Sequence, residues 1–490
     1  MANRFFRAIP SAAPGTVLAT LAALTVSACA IGPDYKRPPV DTGMAFKEAE
    51  GWKLANPSDA LDRGDWWTVF NDPELNSLEK QVEVSNQNLI QAEAAYSQAK
   101  ALVEQTQATI FPNVTGTGSA TRTKSAAGAV GGTNLPSSQL VNNQVSGHLA
   151  ATWDIDVWGR IRRSIEAAKD QAKASEADIA NAKLSAQITL ANDYVELREQ
   201  DEATRLLDES IVGYRKTLEI TQNKYDAGVA AQSDVLTAQT TLQTAQAEAV
   251  DIARTRAALE HAIAVLTGQP PSKLTITPLQ TFDLVAPQIP AGVPSTLLER
   301  RPDVAAAERR VAEANAEIGV ARAAFFPTIT LSGDLGLEGE RVGNLSSGPA
   351  FLWSLGAAAT ETLFDAGKRQ AVTDQAWDTY RLQVANYRQT VLTAMQNVED
   401  NLAALRILSQ ELKQQADAVA SSQRYLNLAR DRYRLGIDSY LNVITAQTTL
   451  LGNQRAELNL QVEQLTDSVQ LIESIGGGWD GTLSAATAQR

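Results

Sequence analysis

Cysteine is nearly absent from this chain: Cys29 is the only one among 490 residues. No intrachain disulfide can form, so packing alone must hold the fold. Histidine is almost as scarce. His148 and His261 are the only two, and neither stands in a metal-ligand spacing such as His-x3-His. Aromatic residues make up 6%, while Ala, Gln, Asn and Thr abound. Small side chains let helices approach closely, which suits long packed helices better than one bulky core. Positive charge is in deficit, with 43 basic residues against 56 acidic ones and a formal net charge of −13. That excludes a nucleic-acid surface, and no basic-aromatic cluster reopens the question. After Cys29 there is no run of about 18 apolar residues, so no transmembrane helix is expected. The chain contains no Gly-x4-Gly-Lys-Ser/Thr loop, no nucleophile elbow and no Cys-x2-Cys. It is therefore not read as an enzyme, and no cofactor or metal is expected.

The first residues carry a targeting pattern. Arg4 and Arg7 precede an apolar run from Val17 to Val26, which ends in Val26-Ser27-Ala28-Cys29. A positive start, a short apolar stretch and small residues before the cut describe a secretory signal over residues 1–28. The small-small-Cys ending resembles a bacterial lipobox, so Cys29 is expected to be lipidated and to become the first mature residue. Residues 29–71 read as an extended, Pro-rich leash through Gly32-Pro33-Asp34-Tyr35, then an irregular segment with Trp52, Trp66 and Trp67 as packing anchors.

What the chain has in quantity is heptad order. Trp377, Val384, Val391, Val398, Leu405, Leu412, Val419, Leu426 and Tyr433 recur every seven residues with no polar interruption. Such a repeat is a coiled-coil seam, because 3.5 residues per turn keeps one stripe facing a partner. The stripe three residues on is weaker: Tyr380, Tyr387, Ala394, Asn401, Leu408, Gln415, Ser422 and Ala429. Its polar members are expected to face water. No Gly or Pro falls between Lys368 and Leu435, so the helix would run about 100 Å, over three times a bilayer core.

Four stretches alternate with period two. In the second of them Val145, Gly147, Leu149, Ala151, Trp153 and Ile155 share one face, and Ser146, His148, Ala150, Thr152, Asp154 and Asp156 the other. In the third, Ile329, Leu331, Gly333, Leu335 and Leu337 oppose Thr328, Thr330, Ser332, Asp334 and Gly336. These are strands with one apolar and one wet face. Asp154 and Asp156 are read as lining residues rather than as a catalytic pair.

The second half repeats the first. The run Thr237-Ala238-Gln239-Thr240-Thr241-Leu242 recurs as Thr445-Ala446-Gln447-Thr448-Thr449-Leu450, and the same register matches Tyr225 to Tyr433 and Gly228 to Gly436. Two copies of one unit are expected. Repeat 1 covers 72–268: a helix opening at Asp72-Pro73 and running to about Ile110, strands 113–123 and 143–157, a long helix 160–226 and a return helix 231–267. A Pro-rich connector spans 269–294. Repeat 2 covers 295–475: a helix, strands 328–338 and 350–364, a long helix 367–434 and a return helix 438–475, followed by a tail over 476–490.

Four strands cannot close a membrane barrel, since bacterial barrels start at about eight, and an open sheet edge is not tolerated in lipid. Chains must pool strands: two would give 8, whose interior side chains fill, and three would give 12, since more than eight are needed for an open lumen. The alternative is a soluble sandwich whose apolar face is core.

Arg301-Pro302-Asp303-Val304, Ala307-Glu308-Arg309-Arg310 and Ala321-Arg322-Ala323-Ala324-Phe325-Phe326-Pro327 resemble the TolC-like outer-membrane efflux family. The Cys29 start, Leu363-Phe364-Asp365-Ala366-Gly367, Tyr433-Arg434-Leu435-Gly436 and Gly476-Gly477-Gly478-Trp479 are similar to its NodT/OprM-type lipoprotein branch. The resemblance implies a mainly helical chain with membrane strands. It implies a homotrimer with a 12-stranded barrel in the outer membrane, continued by a helical tunnel in the periplasm. It also implies a passive duct for drugs or other small toxic compounds. A periplasmic adaptor would join that duct to an inner-membrane pump of the resistance-nodulation-division type. Two alternatives stay open: the exit duct of a protein secretion system, and a structural stalk lipoprotein. On this resemblance Asp438 would form a ring at the periplasmic gate, where like charges raise one another's pKa. Gly228, Val229, Leu435 and Gly436 would be tips that touch the adaptor. Thr152, Asp154, Thr330 and Asp334 would face the barrel lumen.

Overall fold

The structure is a computed structural model. It describes residues 30–40, 65–124, 141–279, 282, 284–287, 301–346 and 350–477. The signal segment, Cys29, Trp52 and the tail beyond residue 477 lie outside the described residues. The elements are α1 (Pro73–Ser85), α2 (Gln87–Ala108), β1 (Asn113–Lys124), β2 (Val141–Ile155), α3 (Arg160–Asp226), α4 (Gln232–Leu266), α5 (Pro302–Ala323), β3 (Thr328–Gly339), β4 (Phe351–Thr360), α6 (Lys368–Arg434) and α7 (Tyr440–Ser474). The chain forms two compact units: residues 1–38, 97–174 and 308–386 in the first, and 39–96, 175–307 and 387–490 in the second.

The first unit carries an antiparallel sheet of order β1-β2-β3-β4. Its register sorts the side chains cleanly. Leu149 pairs with Gly116 and Leu335, and Leu335 pairs in turn with Trp353, so these residues share a face. Thr152 pairs with Ser332 and Asp154 with Thr330 on the opposite face. The apolar face is bare: Leu355 is 81% exposed, Trp353 66% and Val114 63%. A soluble sheet covers such a face with a second layer, and no second sheet does so among the described residues. Two indoles fasten the strands to the segments beside them. Trp153 donates Nε1–H to the Ile110 carbonyl at 2.7 Å. Trp158 donates to the Pro327 carbonyl at 2.8 Å and stacks on Phe326.

Both long helices start from an aspartate. Asp156 accepts from the backbone N–H of Ile161 and Arg162 and from the Arg162 guanidinium. Asp365 accepts from the N–H of Gly367 and Arg369 and from the Arg369 guanidinium. Free N–H groups and the positive helix end favour a carboxylate there. This corrects the expectation that Asp156 lines a sheet face beside Asp154: β2 stops at Ile155, and Asp156 has turned to serve the helix.

Residues 30–40 are not a free leash. Ile31 N–H donates to the Trp158 carbonyl at 3.1 Å. Asn315 Nδ2 donates to the Pro33 carbonyl at 2.9 Å, and Arg163 pairs with Asp34 at 3.0 Å. Tyr35 donates its hydroxyl proton to Glu308. Gly32 has φ +119°, and a Cβ there would stand 2.6 Å from the Gly319 Cα. Only a backbone without side chains on either partner comes that close.

In the second unit one apolar core joins Trp66, Trp67, Leu75, Leu190, Leu197 and Leu465. Asp72 caps α1, accepting from the N–H of Glu74 and Leu75, and Pro73 opens the helix at the position where its missing N–H is harmless. The helix expected to run unbroken to Ile110 divides at Asn86, whose ψ is 122°. The Asn86 Oδ1 accepts from the N–H of Asn88 and Leu89, while its Nδ2 donates to the Leu266 carbonyl. Asn86 thus starts α2 and satisfies the end of α4 in one place. The weaker heptad stripe of α6 is also not a wet edge. Tyr387, Ala394, Asn401, Leu408, Ser422 and Ala429 are all buried. Asn401 donates to the Ser474 hydroxyl at 3.1 Å, and Gln415 donates to the Asn453 carbonyl at 2.9 Å. Small side chains let α7 approach; Asn401 and Gln415 bond to it, while the Ser422 hydroxyl donates to the Val419 carbonyl of its own helix.

Candidate functional site

Two places carry the functional argument: the polar sheet face and the turns that end α3 and α6. On the sheet, Asp154 Oδ1 accepts from the Thr330 hydroxyl at 2.7 Å. Asp334 Oδ1 lies 3.1 Å from His148 Nδ1. A Cβ on Gly336 would stand 2.6 Å from that same nitrogen, so glycine makes room for the ring. Thr152 shares the face through its pairing with Ser332. The four residues named from the sequence therefore occupy one hydrophilic surface, opposite the bare apolar one. No helix among the described residues is long and apolar enough to cross a membrane, which says nothing of the strands.

The two turns are built alike. Gly228 has φ +77° and Gly436 φ +75°. Gly228 N–H bonds to the Tyr225 carbonyl and Val229 N–H to the Lys224 carbonyl. Gly436 N–H bonds to the Tyr433 carbonyl and Ile437 N–H to the Arg432 carbonyl. These are paired Schellman bonds, and the left-handed glycine makes each possible. The turns hold apolar side chains out in the open: Val229 is 73% exposed and Leu435 74%.

Around the second turn the chain is tied in ways that residue spacing did not disclose. Lys224 donates to the Tyr433 carbonyl at 2.6 Å and stands 3.6 Å from the centre of the Tyr433 ring. Thr221 and Tyr433 share a hydroxyl contact at 3.3 Å. Asp438 accepts from Asn442 Nδ2 at 2.5 Å and from Arg432 Nε at 3.2 Å. Asn442 first, and then Arg432, hold its carboxyl below the usual range. Within one chain the shift is thus opposite to that expected for a ring of carboxylates. For Asp438 alone a local signal was present: the Schellman bond from Ile437 N–H to the Arg432 carbonyl sets the next residue, Asp438, beside Arg432. Cys29 lies outside the described residues, but Ala30, the next residue, lies against Gly159, where a Cβ would stand 2.7 Å from the Ala30 Cα. Ala30 thus lies at the junction between β2 and α3.

Comparison with known proteins agrees with this arrangement. Residues 78–269 and 293–477 match the family model described as "Outer membrane efflux protein", one segment for each repeat. The chain is 31% identical over 460 residues to the probable efflux pump outer membrane protein TtgC of Pseudomonas putida, covering 93% of this chain and 94% of that one. It is 32% identical over 466 residues to the pyoverdine export outer membrane protein OpmQ of Pseudomonas aeruginosa, covering 94% and 96%. The structure of the outer-membrane channel OprN superposes with a TM-score of 0.82 at 30% identity, covering 92% of this chain and 100% of that one. With both repeats matched and relatives of this identity aligned almost end to end, the chain belongs to the outer membrane efflux protein family.

Proposed function

We propose that three copies of this outer membrane efflux channel pool their strands into a closed 12-stranded barrel, and that the long helices continue it as a tunnel through the periplasm. One observation carries the reading. A four-stranded sheet with a bare apolar face and a hydrophilic face in strict register has no stable place in water and no closed edge in lipid. Pooling strands between copies solves both problems, with Leu149, Leu335 and Trp353 toward lipid and Thr152, Asp154, Thr330 and Asp334 toward the lumen. The duct is passive: an inner-membrane pump of the resistance-nodulation-division type delivers small toxic compounds through a periplasmic adaptor. Val229, Leu435, Gly228 and Gly436, at the exposed turns, form the surface that meets the adaptor. No covalent step and no cofactor enter this mechanism.

At the closed end, three copies of Asp438 converge on the axis, each held by its own Arg432. Such carboxylate rings favour cations. In planar bilayers the purified assembly opens ion-conducting pores, and Asp438→Ala raises conductance or leak by removing the ring and releasing Arg432. An assembly that never conducts would sink the duct. A conducting assembly unchanged by the substitution would remove Asp438 from the gate.

Cys29, in its small-small-Cys setting, is the lipid attachment point. Mass spectrometry of the mature protein finds an acylated N-terminus, and Cys29→Ser abolishes it. An unmodified wild-type N-terminus would end the lipoprotein reading.

A further inference from the structure

Between α3, α6 and α7 lie two adjoining cavities of about 160 and 150 Å³ that share one side chain, Arg430. Each has room for several waters, whose share of liquid volume is about 30 Å³. Arg430 is half-buried, and among the described residues no carboxylate pairs with it; its charge meets only another cation, Arg434. Burial first and Arg434 second depress its pKa. Lys216 and Arg434 line the smaller cavity with it. Ser210, Gln423, Gln447 and Gln454 line the larger one, with Glu209 also in its wall. That glutamate is already engaged by Arg205 at 2.6 Å. Gln447 is 5% exposed, and its Oε1 has no hydrogen-bond partner. The helix backbone is cut back beside the guanidinium: a Cβ on Gly213 would stand 3.0 Å from Arg430 Nη2 and 3.5 Å from Gln447 Nε2.

A half-buried cation without a paired carboxylate and a buried acceptor without a donor, lining one cavity, are two defects that one ligand can mend. We infer that these cavities form a binding site for a small carboxylate taken from the surrounding water, with Arg430 as its ion-pairing group. The planar guanidinium offers a carboxylate two parallel N–H donors. A hydroxyl on the ligand, or one water carried with it, donates to Gln447 Oε1. The size of the cavities and Glu209 in the wall disfavour larger or more highly charged anions. Occupancy neutralises Arg430 and relieves its repulsion with Arg434, one turn before the α6 tip.

The test is thermal unfolding of the purified protein in detergent, with sodium acetate exchanged for sodium chloride at constant ionic strength. Wild type gains about 2 °C in a saturable manner, as expected for a ligand that binds only the folded state. Arg430→Gln gives a flat response. Arg430→Lys, which keeps the charge and loses the fork, gives a weaker one. Gly213→Ala keeps the cation but places a methyl against it, and shifts the acetate midpoint to higher concentration. If acetate and chloride act alike on wild type, or if Arg430→Gln keeps the acetate response, the site does not exist. A loss of oligomer stability in Arg430→Gln without any acetate response in wild type would assign the charge to a protein carboxylate, and would equally overturn it. None of these readouts depends on conduction.

Discussion

Arg198→Ala destabilises the helical unit by about 3 kcal/mol, the lower end of what breaking a buried ion pair costs. The Arg198 side chain is 1% exposed and that of its partner Asp201 2%. Its Nη1 donates to Asp201 at 2.9 Å and to the Thr277 carbonyl at 2.7 Å; its Nη2 donates to Glu74 at 2.6 Å and to the Tyr194 hydroxyl at 2.9 Å. Tyr194 in turn donates to Asp72 at 2.6 Å, the residue that caps α1. One guanidinium thus joins α1, α3 and the segment after α4. The figure stays at the low end because Asp201 keeps Arg256 at 2.6 Å and the Leu279 N–H at 3.1 Å. Arg198→Met, which preserves much of the volume without the donors, separates lost packing from lost bonding. Denaturant unfolding in detergent measures both. A loss below 1 kcal/mol in the alanine variant would show that the network does not hold this unit together.

Leu335→Arg blocks assembly in the membrane, whereas Asp334→Asn, one residue away, leaves it intact. Leu335 sits on the apolar face between Leu149 and Trp353. A lipid-facing arginine near the bilayer midplane costs about 2–4 kcal/mol, and a threefold barrel would bear that cost three times. Asp334 lies on the other face, where Ser354 pairs with it and His148 bonds to it. Asparagine keeps the acceptor that faces His148. The measurement is the fraction of protein recovered as detergent-resistant oligomer from outer membranes. Equal recovery of both variants would mean that the faces are assigned the wrong way round, or that the sheet does not meet lipid.

Much of this molecule is written in short-range periodicity. The seven-residue stripe of α6 and the period-two alternation of the strands each need only a few neighbouring residues to be read, because helix and strand geometry repeat within that distance. Asp72-Pro73 opens α1 and Gly436 ends α6 for equally local reasons: a cap and a left-handed turn are satisfied by residues two to five positions away. The polar face bearing Thr152, Asp154, Thr330 and Asp334 follows from the pleat alone.

Tertiary structure decided the rest, wherever a partner far along the chain competed with the local pattern. Residues 73–108 could have formed one helix, but the Leu266 carbonyl, 180 positions from Asn86, offered a bond that the break satisfies. Asn401 and Gln415 looked like a wet edge, because a heptad pattern registers polarity but not a second helix that bonds to it. The Pro-rich stretch after Cys29 looked like a leash, because nothing nearby shows that Gly319 lacks the side chain that would keep Gly32 away. Periodicity records which face of an element is apolar. Which carbonyl or glycine meets that face depends on contacts tens to hundreds of residues apart, and these exist only once the chain has closed on itself.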